Sequence, residues 1–153
     1  MNNPKIVLFD SGIWAANFME RDVFNATADK LVARFISNQT VILVPEIVRA
    51  EVLNVVFRRA LDKSKVKFVD DRFRALSPVV QFRHSDPEFW NEFMPQQFSR
   101  LFLKTMDFLV ASYALYWKVE AFYSFDEKLN QALRRIKPEI VKLKIRRGRV
   151  VEV

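Results

Sequence analysis

Ile6-Val-Leu-Phe-Asp-Ser-Gly-Ile-Trp-Ala15 is the segment from which the fold of this chain is predicted. Residues 6–9 form a compact apolar run rich in β-forming residues, and Asp10 follows them directly. Such a run is typical of a strand buried on both faces of a parallel sheet. Ligands bind such sheets beyond the carboxyl ends of the strands, so Asp10 is expected where a functional site forms.

Strand and helix patterns alternate along the remaining sequence. Strands are predicted at residues 41–44, 77–82, 121–124 and within 140–153, where Arg146-Arg147-Gly148 suits a hairpin turn. Four helices are predicted over residues 13–18, 22–37, 45–61 and 126–136. A further helix is predicted in the second half of residues 62–74, and another begins at residue 86 and is interrupted by Pro95. Residues 99–117 are predicted to contain one or two helices. This order predicts an α/β fold whose mostly parallel sheet is covered by helices on both faces.

Composition limits the chemistry that the chain can perform. The 153 residues predict a single domain, residues 1–153, with half of them hydrophobic and 28% charged. There is no Cys, which excludes disulfides and thiolate sites and fits a cytoplasmic location, and the single His84 argues against a multi-histidine metal site. The N-terminal segment is too short for a signal peptide, and no membrane span is predicted. The net charge of +7 favours a polyanionic or acidic partner.

Four carboxylates carry the functional hypothesis. Asp10 and Asp126 follow predicted strands, Asp107 opens the most apolar helix, and Glu51 interrupts the apolar face of the helix that Pro45 begins. Acids at the ends of parallel strands converge at one edge of the sheet, and clustered carboxylates stay charged only beside a cation. Hard oxygen ligands select Mg²⁺ or Mn²⁺, which can activate water for attack on a phosphate.

Each of these acids also has an ordinary structural explanation. Asp10 would suit an Asx turn or a helix cap, and Asp107 would be favoured in the first turn of its helix by the helix dipole. Glu51 would suit an ion pair with Arg58, seven residues further along the same face. The motif around Asp126 would suit a capping box in which Ser124 pairs with Glu127. Glu46 is expected to point to the polar side of its helix.

Four motifs in order resemble the PIN-domain family, especially VapC-like toxins, over nearly the whole chain. The first is the segment at residues 6–15, which ends a strand in Asp10 and Ser11. The others are Val44-Pro-Glu-Ile-Val-Arg-Ala-Glu-Val-Leu-Asn54 with Glu51 as the acid, Thr105-Met-Asp-Phe-Leu-Val-Ala-Ser-Tyr-Ala114 with Asp107, and Ser124-Phe-Asp126. In this family the short link between the third helix and the next strand usually carries a glycine, whereas here it reads Trp117-Lys-Val-Glu120, and the segment between the second and third motifs is long.

The resemblance implies a PIN-like three-layer α/β/α sandwich and a Mg²⁺- or Mn²⁺-dependent endoribonuclease. Asp10, Glu51, Asp107 and Asp126 would be the catalytic and metal-binding residues, with Ser11 and Ser124 orienting them. It also implies single-stranded or structured RNA as substrate, a homodimer, and an antitoxin protein that covers the site. Alternatives are a PIN-like module that binds RNA or protein without cutting, and a receiver-like phosphoacceptor domain.

Basic and aromatic residues suggest where RNA would bind. One basic group lies in the middle of the chain and one near its end: Arg49, Arg58, Arg59, Lys63, Lys65, Lys67, Arg72 and Arg74, then Lys142, Lys144, Arg146, Arg147 and Arg149. Phosphate contacts from such residues would give salt-sensitive affinity, although solvated helix faces have the same composition. RNA bases could stack on Phe89, Trp90, Phe93 and Phe98, but the helical spacing of these residues equally suits a hydrophobic core or a dimer interface.

Overall fold

A four-stranded parallel sheet forms the centre of the molecule. The computed structural model describes residues 5–153; residues 1–4, which begin the segment predicted to be too short for a signal peptide, lie outside the described residues. The strands are β1 (Ile6–Phe9), β2 (Val41–Pro45), β3 (Val80–Arg83) and β4 (Ala121–Tyr123), in the spatial order β3-β2-β1-β4. All three neighbouring pairs are parallel, which confirms the predicted α/β class.

Helices cover both faces of this sheet and complete a three-layer α/β/α sandwich. They are α1 (Ser11–Phe18), α2 (Asn25–Ser37), α3 (Glu46–Ala60), α4 (Lys63–Ala75), a π-helix (Phe89–Phe93) continued by α5 (Met94–Gln97), α6 (Thr105–Tyr116), α7 (Glu127–Ile136) and a 3₁₀ turn (Pro138–Ile140). Within residues 5–153, no helix is both long enough and apolar enough to cross a membrane.

The core is built around β1 and a cluster of aromatic rings. Val7, Leu8 and Phe9 are fully buried because helices pack against both faces of this inner strand. The Phe9 ring contacts Trp14 and Phe35 with centroid distances of 5.5 Å in both cases. Burial of a side chain of this size contributes about 1.5–3 kcal/mol, so the strand that carries Asp10 is among the most firmly held elements.

The strand register brings the two serine-containing motifs together at one sheet edge. Phe9 of β1 lies opposite Tyr123 of β4, and the Asp10 N–H donates to the Tyr123 carbonyl over 3.0 Å. The residues that follow these two strands, Asp10 and Ser124, are therefore neighbours although 114 positions separate them in the sequence. Helix α3 begins directly after β2, which brings Glu51 toward the same edge.

Besides small shifts at the starts of α1 and α2, three helix predictions differ from the structure in their extent. Helix α4 covers its whole segment because Asp62 caps it, accepting a 2.8 Å hydrogen bond from the Ser64 N–H. Pro95 does not end its helix, since the preceding π-turn, in which the Met94 N–H bonds to Phe89, widens the backbone where the ring must fit. Of residues 99–117, only Thr105–Tyr116 is helical, and residues 98–104 form a turn and an extended connection.

The predicted C-terminal hairpin consists of β5 (Leu143–Arg146) and β6 (Arg149–Glu152), which pair antiparallel. Its two-residue turn has positive φ at Arg147 and Gly148, the geometry that matches the twist of paired strands. Side chains of α7 bind the outer edge of β5: Glu127 accepts from the Ile145 N–H at 2.7 Å, and Arg134 donates to the Leu143 carbonyl. The hairpin is thereby fixed to the domain.

Candidate active site

Asp10 lies at the centre of the candidate site, at the start of α1. Its side chain is only 7% exposed, and Oδ1 accepts a 2.7 Å hydrogen bond from the Ser11 N–H. The pKa of Asp10 is raised from 3.8 to about 6, mainly by burial and also by the negative charges of Glu51 and Asp107, while the hydrogen bonds from Ser124 and Ser11 lower it. Asp10 does cap α1, as its ordinary structural explanation predicted. A capping role alone, however, does not require that Asp10 be buried near Glu51 and Asp107.

Ser124 connects Asp10 to the motif that contains Asp126. Its hydroxyl donates to Asp10 Oδ2 over 2.8 Å and accepts from the Asp126 N–H over 2.9 Å. The serine is fully buried, so these two bonds fix the distance between the ends of β1 and β4. Ser11 makes a longer contact, with its hydroxyl 3.4 Å from Asp10 Oδ1.

Asp107 and Glu51 contribute charge to the same region from two helices. Burial raises the pKa of Asp107, and repulsion from Asp126 and then Glu51 adds to the rise. The ion pair considered for Glu51 and Arg58 is not formed, and among residues 5–153 no cation lies within salt-bridge distance of Glu51. Glu46 points away as expected and pairs with Arg49 at 3.1 Å.

Asp126 is the exposed member of the set. It caps α7 by accepting hydrogen bonds from the N–H groups of Lys128 (2.8 Å) and Leu129 (3.1 Å) through one oxygen, Oδ1. The capping box considered between Ser124 and Glu127 is not formed, because Glu127 bonds instead to Arg134 at 2.7 Å. Asp126 therefore caps α7 through Oδ1, while its second carboxylate oxygen, Oδ2, accepts no hydrogen bond within residues 5–153.

Asn130 is a site residue that the sequence did not reveal. It is fully buried in α7, and its Nδ2 donates to the Ser124 carbonyl over 2.9 Å. Its Oδ1 has no partner within the described part of the chain. The only sequence signal is its position one helical turn after Asp126, which places both residues on one side of α7.

The four acids are close enough to repel one another but do not form a ready-made ion cage. No group of three Asp, Glu or His side chains within residues 5–153 is gathered closely enough to hold a metal ion. The donor set is nonetheless suited to a hard cation, since it is all oxygen and none of the four acids forms a salt bridge within residues 5–153.

The model of the PIN domain family matches residues 7–134 of this sequence. This chain belongs to the PIN domain family. The match spans the four strands of the sheet and all four candidate acids. No curated protein sequence matches the chain.

Two solved structures share this PIN fold. One is VapC20 of Mycobacterium tuberculosis, described as a toxin that cleaves the sarcin-ricin loop, with 21% identity, a TM-score of 0.65, and coverage of 82% of this chain and 94% of that one. The other is VapBC2 of Rickettsia felis bound to a promoter DNA fragment, with 15% identity, a TM-score of 0.60, and coverage of 89% and 96%. The fold of this chain is therefore VapC-like.

Half of the basic residues in the middle of this PIN domain are engaged in ion pairs. Arg49 binds Asp70 through two hydrogen bonds of 2.8 Å, which joins α3 to α4. The other three pairs are Arg59–Asp22, Lys67–Asp71 and Arg74–Asp70. Within residues 5–153 the cations without an ion pair in the two basic groups are Arg58, Lys63, Lys65, Arg72, Lys142, Lys144, Arg146, Arg147 and Arg149.

The four aromatic residues considered for base stacking divide into core and surface. Phe89 is fully buried and stacks on Tyr113 with a centroid distance of 4.1 Å, so it belongs to the core. Phe93 packs against Tyr116 at 5.1 Å. Trp90 and Phe98 remain 40% and 60% exposed. His84 lies on the surface, 3.7 Å from Glu46, and contacts none of the candidate acids.

Proposed function

We propose that this PIN domain is a metal-dependent endoribonuclease whose site consists of Asp10, Glu51, Asp107 and Asp126. The main observation in support is the buried Asp10 carboxyl, whose pKa is raised by burial and by the charges of Glu51 and Asp107. A fold that buries an acid beside other acids loses stability unless a cation compensates them. A divalent ion is such a cation, and it can also activate water and stabilise the developing charge in phosphodiester hydrolysis.

Each protein group has a separate role in this proposal. Asp10, Glu51, Asp107 and Asp126 would hold Mg²⁺ or Mn²⁺, which supplies an activated water and neutralises phosphate charge when bound. Ser124 holds the Asp10 carboxylate through its 2.8 Å bond, and Asn130 holds Ser124 through its carbonyl. Ser11 assists from the α1 side through its backbone N–H. No side chain is assigned as a separate general base, because His84 is remote from the acids.

The biological role proposed is that of a toxin in a toxin–antitoxin pair. The support is the shared fold with VapC20, described as a toxin that cleaves the sarcin-ricin loop, and with VapBC2, described as bound to a DNA fragment from its promoter. In that role the protein acts on RNA in the cytoplasm, forms a homodimer, and is inhibited by an antitoxin. The exposed cations at the hairpin turn, Arg146, Arg147 and Arg149, would attract either RNA or an acidic antitoxin.

Cleavage of RNA by the purified protein tests this function. Wild-type protein is expected to cut single-stranded RNA in Mn²⁺ or Mg²⁺ and to lose this activity in EDTA, with recovery when metal is restored. Folded protein that binds RNA but leaves several RNAs intact in both metals would contradict the enzyme assignment. It would favour the alternative of a PIN domain that binds RNA without cutting it.

An Arg49→Ala variant is expected to lose stability without losing RNA affinity. The Arg49 guanidinium is 20% exposed and is bound to Asp70 by two hydrogen bonds, so it is not available to phosphates. Its removal leaves the partly buried Asp70 carboxylate with Arg74 alone, which should lower the free energy of unfolding by about 2 kcal/mol. Denaturant unfolding and RNA titrations at several salt concentrations would measure both effects.

The matched variant for this comparison is Lys65→Ala, which removes an exposed cation with no ion-pair partner among the described residues. If α4 contacts RNA, Lys65→Ala should leave stability unchanged and reduce the salt dependence of binding by about one released counterion. An Arg49→Ala variant with unchanged stability and weakened RNA binding would show that the ion pair has been misinterpreted.

A further inference from the structure

The connection between α5 and α6, residues 98–104, exposes two large aromatic side chains. Phe98 is 60% exposed and Phe102 is 84% exposed, whereas most other phenylalanines of the described chain are buried or partly buried. This segment, called the aromatic loop here, ends at the helix whose first turn contains Asp107. Exposed aromatic rings on a segment that leads into the helix of a candidate site residue indicate a contact surface for a ligand.

The Phe98 ring is held in a defined orientation by Phe108, the residue that follows Asp107 in α6. It lies face to face with Phe108, with a centroid distance of 4.8 Å and an interplanar angle of 1°. Phe108 is 5% exposed and directly follows Asp107 in α6. One face of Phe98 thus rests on a fixed ring adjacent to a candidate catalytic residue, and the other side of the ring is accessible. A planar aromatic ligand extends such a parallel stack better than an aliphatic side chain does.

Two free cations accompany the rings. Arg100 and Lys104 are exposed, and neither has an ion-pair partner among residues 5–153. Lys104 directly precedes α6, three positions before Asp107, so it connects the aromatic loop to the helix that carries this acid. An aromatic face with cations on the same short loop matches a ligand that combines a flat base with phosphates.

We propose that the aromatic loop binds an unpaired RNA base, stacked on Phe98, with the adjoining phosphates held by Arg100 and Lys104. The base must be unpaired and unstacked because in a duplex its faces are covered by neighbouring bases. Phe102 supplies a second exposed ring for the next nucleotide. The inference rests on the proposed ribonuclease function and specifies where that site holds its substrate.

Fluorescence of 2-aminopurine, an adenine analogue quenched by stacking, tests the loop directly. Short single-stranded RNAs with 2-aminopurine at each position in turn would be titrated with intact protein in EDTA, so that no cleavage occurs. Wild-type protein is expected to quench at least one position. Phe98→Leu is expected to abolish that quenching and weaken binding roughly 5- to 100-fold, whereas Phe98→Trp retains both.

Phe68→Leu is the matched control, because Phe68 on α4 has the same 60% exposure but lies outside the loop. It should bind the single-stranded RNA and quench its 2-aminopurine like wild type. Thermal unfolding of each variant would establish that it is folded.

Several results would overturn the inference. One is unchanged quenching and affinity in folded Phe98→Leu, and another is an equal loss in Phe68→Leu. A changed oligomeric state of RNA-free Phe98→Leu in sedimentation would assign the loop to a protein interface instead. If wild-type protein cleaves RNA and Phe98→Leu cleaves it with the same KM, the loop proposal is wrong and the nuclease proposal stands. If wild-type protein shows the stacking signal but does not cleave RNA in Mn²⁺, the nuclease proposal is wrong and the loop proposal stands.

Discussion

Asp107→Asn is expected to lower RNA cleavage in Mn²⁺ by about a thousandfold while leaving the protein folded. Asp107 lies in the first turn of α6 and forms part of the acidic group, because Asp126 and Glu51 both repel its charge. Removing one carboxylate removes a proposed metal ligand and several kcal/mol of transition-state stabilisation, and each ~1.4 kcal/mol corresponds to a factor of ten in rate. Initial rates at saturating RNA would measure the loss.

Asp71→Asn is the matched control for this substitution. Asp71 is an exposed aspartate on α4 that pairs only with Lys67 in the described structure, at 2.6 Å. Its replacement should leave cleavage at the wild-type rate, since an exposed pair contributes little to stability and lies outside the acidic site. Retention of wild-type activity by Asp107→Asn would remove Asp107 from the site and weaken the proposed metal role of all four acids.

The parallel sheet was predictable because its strands are buried on both faces. Such strands appear in the sequence as continuous apolar runs at residues 6–9 and 41–44, and the structure has both. The position of Asp10 followed from the same reasoning, since only a parallel sheet places the ends of β1 and β4 side by side. Local propensity and the global fold agreed at these elements.

Other features depend on contacts between residues far apart in the sequence. Asn130 acquires its role from a hydrogen bond to Ser124, and nothing in its local pattern distinguishes it from an ordinary helical asparagine. The ion pair of Arg49 with Asp70 likewise requires α3 and α4 to pack together. The π-turn before Pro95 could not be predicted, because a proline in a helical pattern more often ends the helix than follows a widened turn.

Asp10→Asn is expected to stabilise the metal-free protein near neutral pH, although it removes a proposed catalytic group. Burial and the charges of Glu51 and Asp107 raise the pKa of Asp10 from 3.8 to about 6. The folded protein therefore binds this proton more tightly than the unfolded chain, so the free energy of unfolding falls as the pH rises from 3.8 toward about 6. Above that range the full electrostatic penalty remains.

An uncharged asparagine should relieve most of that penalty. Its Oδ1 can still accept from the Ser11 N–H, and the Ser124 hydroxyl can rotate to accept from the new amide. A shift of about two pKa units corresponds to roughly 3 kcal/mol, of which imperfect hydrogen bonding should leave about 2 kcal/mol as a gain. For a chain of this length, that raises Tm in EDTA near pH 7 by roughly 4–8 °C, with a smaller gain at lower pH.

In Mn²⁺, the Tm of wild type should exceed that of Asp10→Asn, which is the reverse of their order in EDTA. A ligand that binds only the folded state raises its stability according to its concentration and affinity, so wild-type Tm should rise with Mn²⁺ while the Tm of Asp10→Asn changes little. Thermal unfolding in EDTA and in Mn²⁺ would test this, with Asp71→Asn expected to follow wild type in both. An Asp10→Asn protein that is less stable than wild type in EDTA, with the same pH dependence, would show that Asp10 is compensated by the fold itself. In that case, a buried and repelled carboxylate would no longer be an argument for a cation at this site.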